Sequence, residues 1–146
     1  MPPALPILSA AALLLAPLAP PAEHNRLDWM LGKGASIEIR AGSRTARGFA
    51  SGWTGAACES RFTVVTLADM GKFNGPNPAR AVIIDWSRME TPAATEAESS
   101  DVRLVGPFKV GTGVIDSLTL ELSSPPLARS AVEAMNRLRL ACRPQR

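Results

Sequence analysis

Histidine is scarce in this sequence, which contains one histidine, His24, and no tyrosine. His24 precedes the region in which strand and helix patterns begin, so we expect it to lie outside the folded body. Catalysis by a serine or cysteine nucleophile needs a histidine that a rigid frame holds beside it. A zinc site needs three or four ligands from cysteine, histidine and carboxylate side chains. The sequence therefore predicts no histidine-based catalytic site, no metal site and no cofactor.

Aromatic residues make up only 5% of the chain, and the basic residues are 13 arginines and 3 lysines. The 16 basic side chains exceed the 13 acidic ones and give a net charge of +3. Arg40, Arg44 and Arg47 cluster on the first predicted hairpin, where guanidinium groups can hold phosphate or carboxylate. They form a candidate anion-binding site, with an ordinary solvated surface as the alternative. Since the aromatics do not alternate with the arginines, we predict no nucleic-acid partner.

Charged side chains are missing from the first 22 residues. Within this stretch, residues 4–19 are mostly alanine, leucine and isoleucine, and small residues follow. Such an N-terminal segment is typical of a secretory signal peptide, here residues 1–22 with cleavage between Ala22 and Glu23. An uncleaved anchor and an unstructured N-terminus are the alternatives, and no later stretch is long and apolar enough to span a bilayer. We therefore predict a periplasmic or secreted protein with no transmembrane segment after cleavage.

The chain contains two cysteines, Cys58 and Cys142, which are 84 positions apart. In an exported protein an even number of cysteines indicates pairing, so we predict a disulfide between them. Two separate buried thiols in a cytosolic protein are the alternative. A redox or zinc motif with two closely spaced cysteines is excluded, because the two residues are far apart and have no histidine nearby.

Alternating polar and apolar residues and β-branched runs predict about seven short strands in a single domain over residues 36–143. The predicted strands are 36–40, 47–53, 59–67, 80–89, 101–105, 108–111 and 117–122. Turn-forming residues predict a loop over 69–79, and an acidic loop without apolar periodicity covers 90–100. Residues 23–35 form a lead-in with one short turn that Gly32 and Gly34 end, and residues 144–146 form a tail.

An amphipathic helix is predicted at the C-terminal end of the domain. Ser124 supplies an N-cap and Pro125 suits the first helical position. Apolar residues then recur three or four positions apart and define one stripe, which consists of Leu127, Ala131, Met135, Leu138 and Cys142. Because Cys142 belongs to the stripe, its bond to Cys58 would hold the helix over the sheet near the start of the third strand. Pro144 is expected to end the helix.

This order of elements, seven short strands and then one helix, resembles the pleckstrin-homology/GRAM-like barrels. The stretches that carry the resemblance are IIDWSRM, DVRLV, DSLTLEL and PPLARSAVEAMNRLRLAC. The resemblance covers residues 36–143 and implies a mainly β fold, a small barrel or bent antiparallel sheet capped by the C-terminal helix. It also implies binding of lipid headgroups, peptides or partner proteins. An α+β sandwich, with one sheet and a helix on one face, is the alternative fold.

We predict an exported, non-catalytic envelope protein, a binding module for a partner protein or for an anionic lipid or glycan surface. One alternative is a carrier of a lipid or other apolar ligand, which would use the inward face of the last strand at Leu118, Leu120 and Leu122. A second alternative is a carboxylate-based hydrolase. It needs two carboxylates across a cleft, and the candidates are Asp69, Asp85, Asp116 and Glu121.

Overall fold

A six-stranded antiparallel barrel forms the body of the computed structural model, which describes residues 19–66, 80–94, 98–110 and 113–143. In chain order the elements are α1 (Ala19–Leu31), β1 (Ala35–Ala41), β2 (Arg44–Ala56), β3 (Glu59–Thr66), β4 (Arg80–Asp85), a 3-10 turn (Trp86–Arg88), β5 (Ala93–Ala94), β6 (Asp101–Val110), β7 (Gly113–Glu121) and α2 (Pro125–Ala141). The predicted class, mainly β with a C-terminal helix, is confirmed. An additional helix, α1, precedes the barrel.

The barrel is a closed meander with strand order β4-β3-β2-β1-β7-β6. It closes where β4 pairs with β6 through two residue pairs, Val82 with Val110 and Ile83 with Lys109. The two-residue strand β5 adds to the other edge of β6. The seven strands expected from the sequence thus become six barrel strands, because two of them form the single strand β6, and β5 lies within the loop predicted over 90–100. Because the sheet closes on itself, the architecture is a barrel and not the open α+β sandwich.

Several predicted strand boundaries differ from the structure, and two of the differences have a clear local cause. The strand predicted over 80–89 ends at Asp85, whose carboxylate accepts a hydrogen bond of 3.0 Å from the Ser87 backbone N–H and caps the 3-10 turn. The predicted break at Gly106-Pro107 is instead a bulge inside one continuous strand, β6. A bulge leaves residues unpaired, so a proline without an N–H fits there. The loop predicted over 69–79 lies outside the described residues.

Inward-facing side chains fill the barrel. Trp86, Phe62, Phe108, Ile84, Leu104, Leu118 and Leu120 are among its largest fully buried side chains. Trp53 stacks on Phe62 with ring centroids 4.9 Å apart. Burying each such side chain stabilises the fold by about 1.5–3 kcal/mol relative to leaving it exposed. The interior is therefore a packed hydrophobic core, and Leu118 and Leu120 belong to it.

Helix α2 forms as its sequence predicts. The Ser124 hydroxyl accepts a hydrogen bond of 3.3 Å from the Leu127 N–H at the first turn. Most of the predicted stripe is buried, with Ala131, Met135 and Leu138 fully so. The helix packs against α1, the 3-10 turn, β5 and β6. The predicted end at Pro144 lies outside the described residues.

A disulfide joins Cys58, in the turn between β2 and β3, to Cys142 at the C-cap of α2. The Cα atoms of the two cysteines are 5.7 Å apart, which confirms the pairing expected from the sequence. The Cys58 carbonyl also accepts a hydrogen bond of 2.9 Å from the Trp86 N–H. One turn therefore anchors both the end of α2 and the start of the 3-10 turn. Neither helix in the described part of the chain is long and apolar enough to cross a membrane.

Helix α1 runs from the last four residues of the predicted signal peptide into the segment for which the sequence predicted a lead-in with one short turn. Its inner side buries Leu27 and Leu31 against β2 and α2. The expectation that His24 lies outside the folded body is wrong, since this side chain is only 2% exposed. The polar residues Glu23 and His24 share the buried side, so the helix lacks the apolar periodicity that would have predicted its packing. Gly32 follows its last residue.

Candidate functional site

An open groove of about 480 Å³ crosses the outer face of the barrel. Strands β1, β2, β6 and β7 build it, and its lining residues are Ser36, Ile37, Glu38, Arg47, Gly48, Asp101, Thr119 and Glu121. Strand register places the polar ones side by side, since Ser36 is opposite Glu121 and Glu38 is opposite both Arg47 and Thr119. Alternation along each strand turns these side chains outward while their neighbours fill the core. The volume is within the range of ligand-binding clefts.

The groove is acidic although the whole chain has a net charge of +3. Its lining carries three carboxylates, from Glu38, Asp101 and Glu121, and one guanidinium, from Arg47. The Arg47 Nε donates a hydrogen bond of 3.2 Å to Glu38 Oε2. Asp101 and Glu121 are directly opposite each other on β6 and β7, and neither has an ion-pair partner among the described residues. Like charges at opposed positions destabilise a sheet, so local stability does not explain this pair.

An exposed aromatic side chain lies next to the groove. Phe49 is 45% exposed and is opposite Ser36 in the pairing of β2 with β1. Its ring lies against Gly34, where an added Cβ would come within 2.4 Å of the ring. Gly34 also has a φ of 112°, which other residues rarely adopt. The glycine therefore makes room for a phenylalanine ring that offers apolar contact area beside a charged surface.

The three arginines of the candidate anion-binding site do not share one face of the hairpin. Pairing of Arg40 with Thr45 and of Glu38 with Arg47 puts Arg40 and Arg47 on the outer face. Arg44 pairs with Ala41, and alternation places it on the opposite face. Arg47 is also bonded to Glu38. Neither Arg40 nor Arg44 lines the acidic groove, and the two lie on opposite faces of the hairpin. Anion binding by this set stays a prediction.

The candidate carboxylates of a hydrolase are in different settings. Asp85 accepts hydrogen bonds from the backbone and the hydroxyl of Ser87, the latter at 2.6 Å. Asp116 Oδ2 accepts one of 2.7 Å from the Gly42 N–H, which ties the β1–β2 turn to β7. Glu121 lines the groove opposite Asp101, a residue that the sequence did not single out. Asp69 lies outside the described residues. Asp85 and Asp116 therefore each accept a hydrogen bond from a backbone N–H, Asp85 within its own turn and Asp116 from the β1–β2 turn.

A buried polar cluster lies beneath α1. His24 Nε2 donates a hydrogen bond of 2.7 Å to the Ala57 carbonyl, and its ring lies on the backbone of Gly55. A carbonyl oxygen can only accept, so Nε2 carries the hydrogen and Nδ1 of a neutral ring is an acceptor. Nδ1 is buried without a partner, and so are Asp28 Oδ1 and Glu23 Oε2. The underside of α1 therefore presents three buried acceptor atoms that have no hydrogen-bond partner.

Charge in this cluster is only partly balanced. Glu23 Oε1 lies 3.5 Å from Arg137 Nη1 of α2. Burial raises the pKa of Asp28, and the charge of nearby His24 acts in the opposite direction. Neither the periodicity of α1 nor any motif predicted this cluster; His24 and Asp28 at i and i+4 were the only available signal. In the described part of the chain, no group of three histidine, cysteine or acidic side chains is arranged to hold a metal ion.

The fold is a small antiparallel barrel with a disulfide, preceded by one helix in the chain and followed by another. An acidic groove lies on the outer face of the barrel. Comparison of the chain with protein-family models, with curated proteins and with solved structures finds no match.

Proposed function

We propose that the protein is an exported, non-catalytic binding module whose outer groove holds a basic segment of a partner protein. The observation that carries this proposal is the opposed pair Asp101 and Glu121, two carboxylates without cationic partners in an open groove. A lysine or arginine of a partner would neutralise them, and complementary charge of this kind favours specific and rapid association. Phe49 beside the groove would contact an apolar side chain next to that cation.

Export is part of the proposal. The disulfide is typical of an oxidising compartment. The uncharged, apolar residues 1–22 are typical of a signal peptide, and cleavage after Ala22 would leave Glu23–Leu31 of α1 on the mature protein. Mass spectrometry of protein recovered from the host envelope tests this directly. A mass equal to residues 23–146 less two hydrogens is expected; the mass of a full-length, reduced chain would contradict export.

Kinship with the pleckstrin-homology/GRAM-like barrels belongs to the same proposal. The closed barrel with a helix after its last strand supports it. In this case, however, the outer groove is acidic, and its one guanidinium is already bonded to Glu38. Charge complementarity therefore favours a basic protein segment over an anionic lipid headgroup as the ligand.

A defined peptide tests the groove. The full chain is titrated, by calorimetry at low ionic strength, with an octapeptide of alternating lysine and leucine, and separately with its glutamate–leucine counterpart. We expect binding of the lysine peptide only, and a loss of about tenfold in affinity for the variant D101N/E121Q, since each exposed charge pair contributes about 0.2–1 kcal/mol. The matched control E133Q removes an exposed carboxylate from α2 and should bind as the wild type does.

Two outcomes would overturn this proposal. One is equal affinity of the wild type and D101N/E121Q for the lysine peptide. The other is failure of the lysine peptide to bind while vesicles that contain phosphatidylglycerol do bind and lose affinity in the variant R40Q/R44Q. The second outcome would replace the basic segment with an anionic surface as the partner. Added salt should weaken the expected binding, because the charges involved are exposed.

A further inference from the structure

We propose that the exposed face of α1 binds the anionic surface of a lipid bilayer. This inference is independent of the groove, since no residue of α1 lines it. It shares with the proposed function only the interpretation of residues 1–22 as a segment directed to a membrane. It starts from Trp29, which is 77% exposed, whereas Trp53 and Trp86 are 3% and 0% exposed. The fold thus buries two of its tryptophans and leaves the third in solvent.

Helical spacing places Trp29 within a set of exposed residues. Side chains three or four positions apart lie on the same face of a helix. A set of exposed residues in α1 and the turn after it keeps this spacing, namely Ala22, Asn25, Arg26, Trp29 and Lys33. Leu27 and Leu31 lie on the opposite face and are buried where α1 packs against β2 and α2. We call the exposed set the outer face of α1.

The outer face carries two cations. Arg26 is three positions before Trp29, and Lys33 is four positions after it. Lys33 follows a hydrogen bond of 2.8 Å from the Gly32 N–H to the Asp28 carbonyl, so the helical pattern of bonds continues to the residue before it. Neither cation forms an ion pair with another described residue. The aromatic ring therefore has a positive side chain on each side of it along the helix.

The acidic residues of α1 lie away from this face. Glu23 is buried, and its Oε1 is 3.5 Å from Arg137 Nη1 of α2. Asp28 is half-buried, and its Oδ1 is fully enclosed. The outer face thus combines one aromatic ring with two cations and contains no carboxylate. Such a face is attracted to an anionic surface.

The chain that precedes α1 favours a membrane as that surface. Residues 1–18 contain no charged side chain, consist mostly of alanine, leucine and proline, and lead directly into Ala19, the first residue of α1. An apolar N-terminal segment of this kind enters the bilayer during export. The helix that follows it therefore starts at the membrane. Cleavage after Ala22 would keep Arg26, Trp29 and Lys33 on the mature protein.

The chemistry of the outer face suits the boundary between lipid headgroups and water. A tryptophan ring offers a large apolar area together with one N–H donor, and tryptophan is enriched at that depth of a bilayer. Arginine and lysine side chains bind anionic headgroups beside it. A helix with such a face lies parallel to the membrane surface. The buried residues Leu27 and Leu31 would meanwhile hold α1 on the barrel.

Vesicle binding of the full chain tests this proposal. Vesicles of equal parts phosphatidylglycerol and phosphatidylcholine supply the anionic surface, and vesicles of phosphatidylcholine alone should bind much less protein. R26Q/K33Q should lower the partition coefficient for the anionic vesicles by about tenfold or more, since each cation at such a surface contributes about fivefold. The matched control R80Q/R88Q removes two exposed arginines from β4 and the 3-10 turn and should bind nearly as the wild type does. All these chains keep residues 1–22, so that segment produces no difference between them.

Trp29 supplies a second readout. Because Trp53 and Trp86 are buried, a fluorescence change on addition of vesicles reports on Trp29. Its emission should shift to shorter wavelength, and lipids brominated close to the headgroup should quench it. W29A should lower the partition coefficient by about tenfold, because the apolar contact with the interface is lost. L140A removes an exposed apolar side chain from α2 and should leave the coefficient unchanged.

Several results would overturn the proposal. These are equal binding to both kinds of vesicle, equal partition coefficients of the wild type and R26Q/K33Q, equal losses in R26Q/K33Q and R80Q/R88Q, and Trp29 fluorescence that vesicles do not change. An emission shift that appears without vesicles as the protein concentration rises would also overturn it and assign the outer face to a contact between two copies of the chain. None of these results bears on the groove, which the lysine peptide tests separately.

Discussion

The indole Nε1 of Trp86 donates a hydrogen bond of 2.9 Å to the hydroxyl of Ser60, and both residues are completely buried. The bond joins the 3-10 turn to β3, and the Trp86 N–H also donates to the carbonyl of Cys58 in the turn that precedes β3. Trp86 is the largest fully buried side chain of the core. Its polar nitrogen therefore depends on a single hydroxyl for its hydrogen bond.

Replacement of Ser60 by alanine should lower the free energy of unfolding by about 1–3 kcal/mol, because it leaves a buried indole N–H without an acceptor. Urea denaturation followed by tryptophan fluorescence measures the change. S51A is the matched control, since the hydroxyl of Ser51 is on the exposed side of β2 and bonds to Thr63 there. Its effect should be below about 0.5 kcal/mol. A similar loss in both variants would contradict a special role of the buried bond.

Reduction of the Cys58–Cys142 disulfide should destabilise the protein strongly. The bond closes a loop of 84 positions, for which the chain-entropy treatment gives about 4–5 kcal/mol at 25 °C. The variant C58A/C142A should unfold at a correspondingly lower urea concentration than the oxidised protein. Reductant should shift the wild type and leave the variant unaffected. If reductant does not change the stability of the wild type, the native protein lacks this bond.

Two leucines of α2 should differ in their contribution to stability although they are two positions apart. Leu138 is fully buried between the helix and the core, and Leu140 is 52% exposed. L138A should lower the free energy of unfolding by about 2–5 kcal/mol, because it leaves a cavity. L140A should change it by less than about 0.5 kcal/mol. Thermal unfolding of both variants, followed by circular dichroism, checks which face of α2 is buried. Equal effects of the two substitutions would contradict the burial of Leu138 and the exposure of Leu140.

Removal of one carboxylate from the groove should both stabilise the protein and lower its affinity for a basic peptide. D101N abolishes the repulsion between opposed residues on β6 and β7, Asp101 and Glu121. A cross-strand pair changes the stability of a sheet by about 0.2–1 kcal/mol. We therefore expect the free energy of unfolding of D101N to rise by an amount within that range at low ionic strength. The same variant should bind the lysine–leucine peptide less tightly. A loss of stability in D101N would show that this carboxylate is structural.

The C-terminal helix could be predicted because its sequence signals are local. The disulfide could be predicted because the chain has only two cysteines. Ser124 and Pro125 mark the start of α2 within one turn, and the stripe through Met135 and Leu138 follows from the helical period alone. The two cysteines left only one intramolecular pairing. The position of Cys142 on the stripe then agreed with the pairing, and the structure confirms both.

The first helix could not be predicted in this way. Its buried side mixes Leu27 and Leu31 with Glu23 and His24, so it has no continuous apolar stripe. Those polar residues are accommodated by partners that are distant in the chain, namely Ala57 and Arg137. Burial of a polar side chain depends on such a partner, and a one-dimensional pattern does not contain it. The sequence pattern therefore predicts His24 outside the folded body, although the side chain is buried in it.

What the sequence alone determined is the mainly β character, the capped helix α2 and the Cys58–Cys142 bond, because each rests on near-neighbour chemistry or on a unique pairing. The closure of the barrel, the docking of α1 and the groove were decided only by tertiary structure. The groove joins Glu38, Asp101 and Glu121 from three strands, and strand register alone brings them together. A shift of one residue in that register would turn these carboxylates into the core. Register is set by the packing of the whole barrel, and this is the physical reason why the groove could not be predicted from the chain.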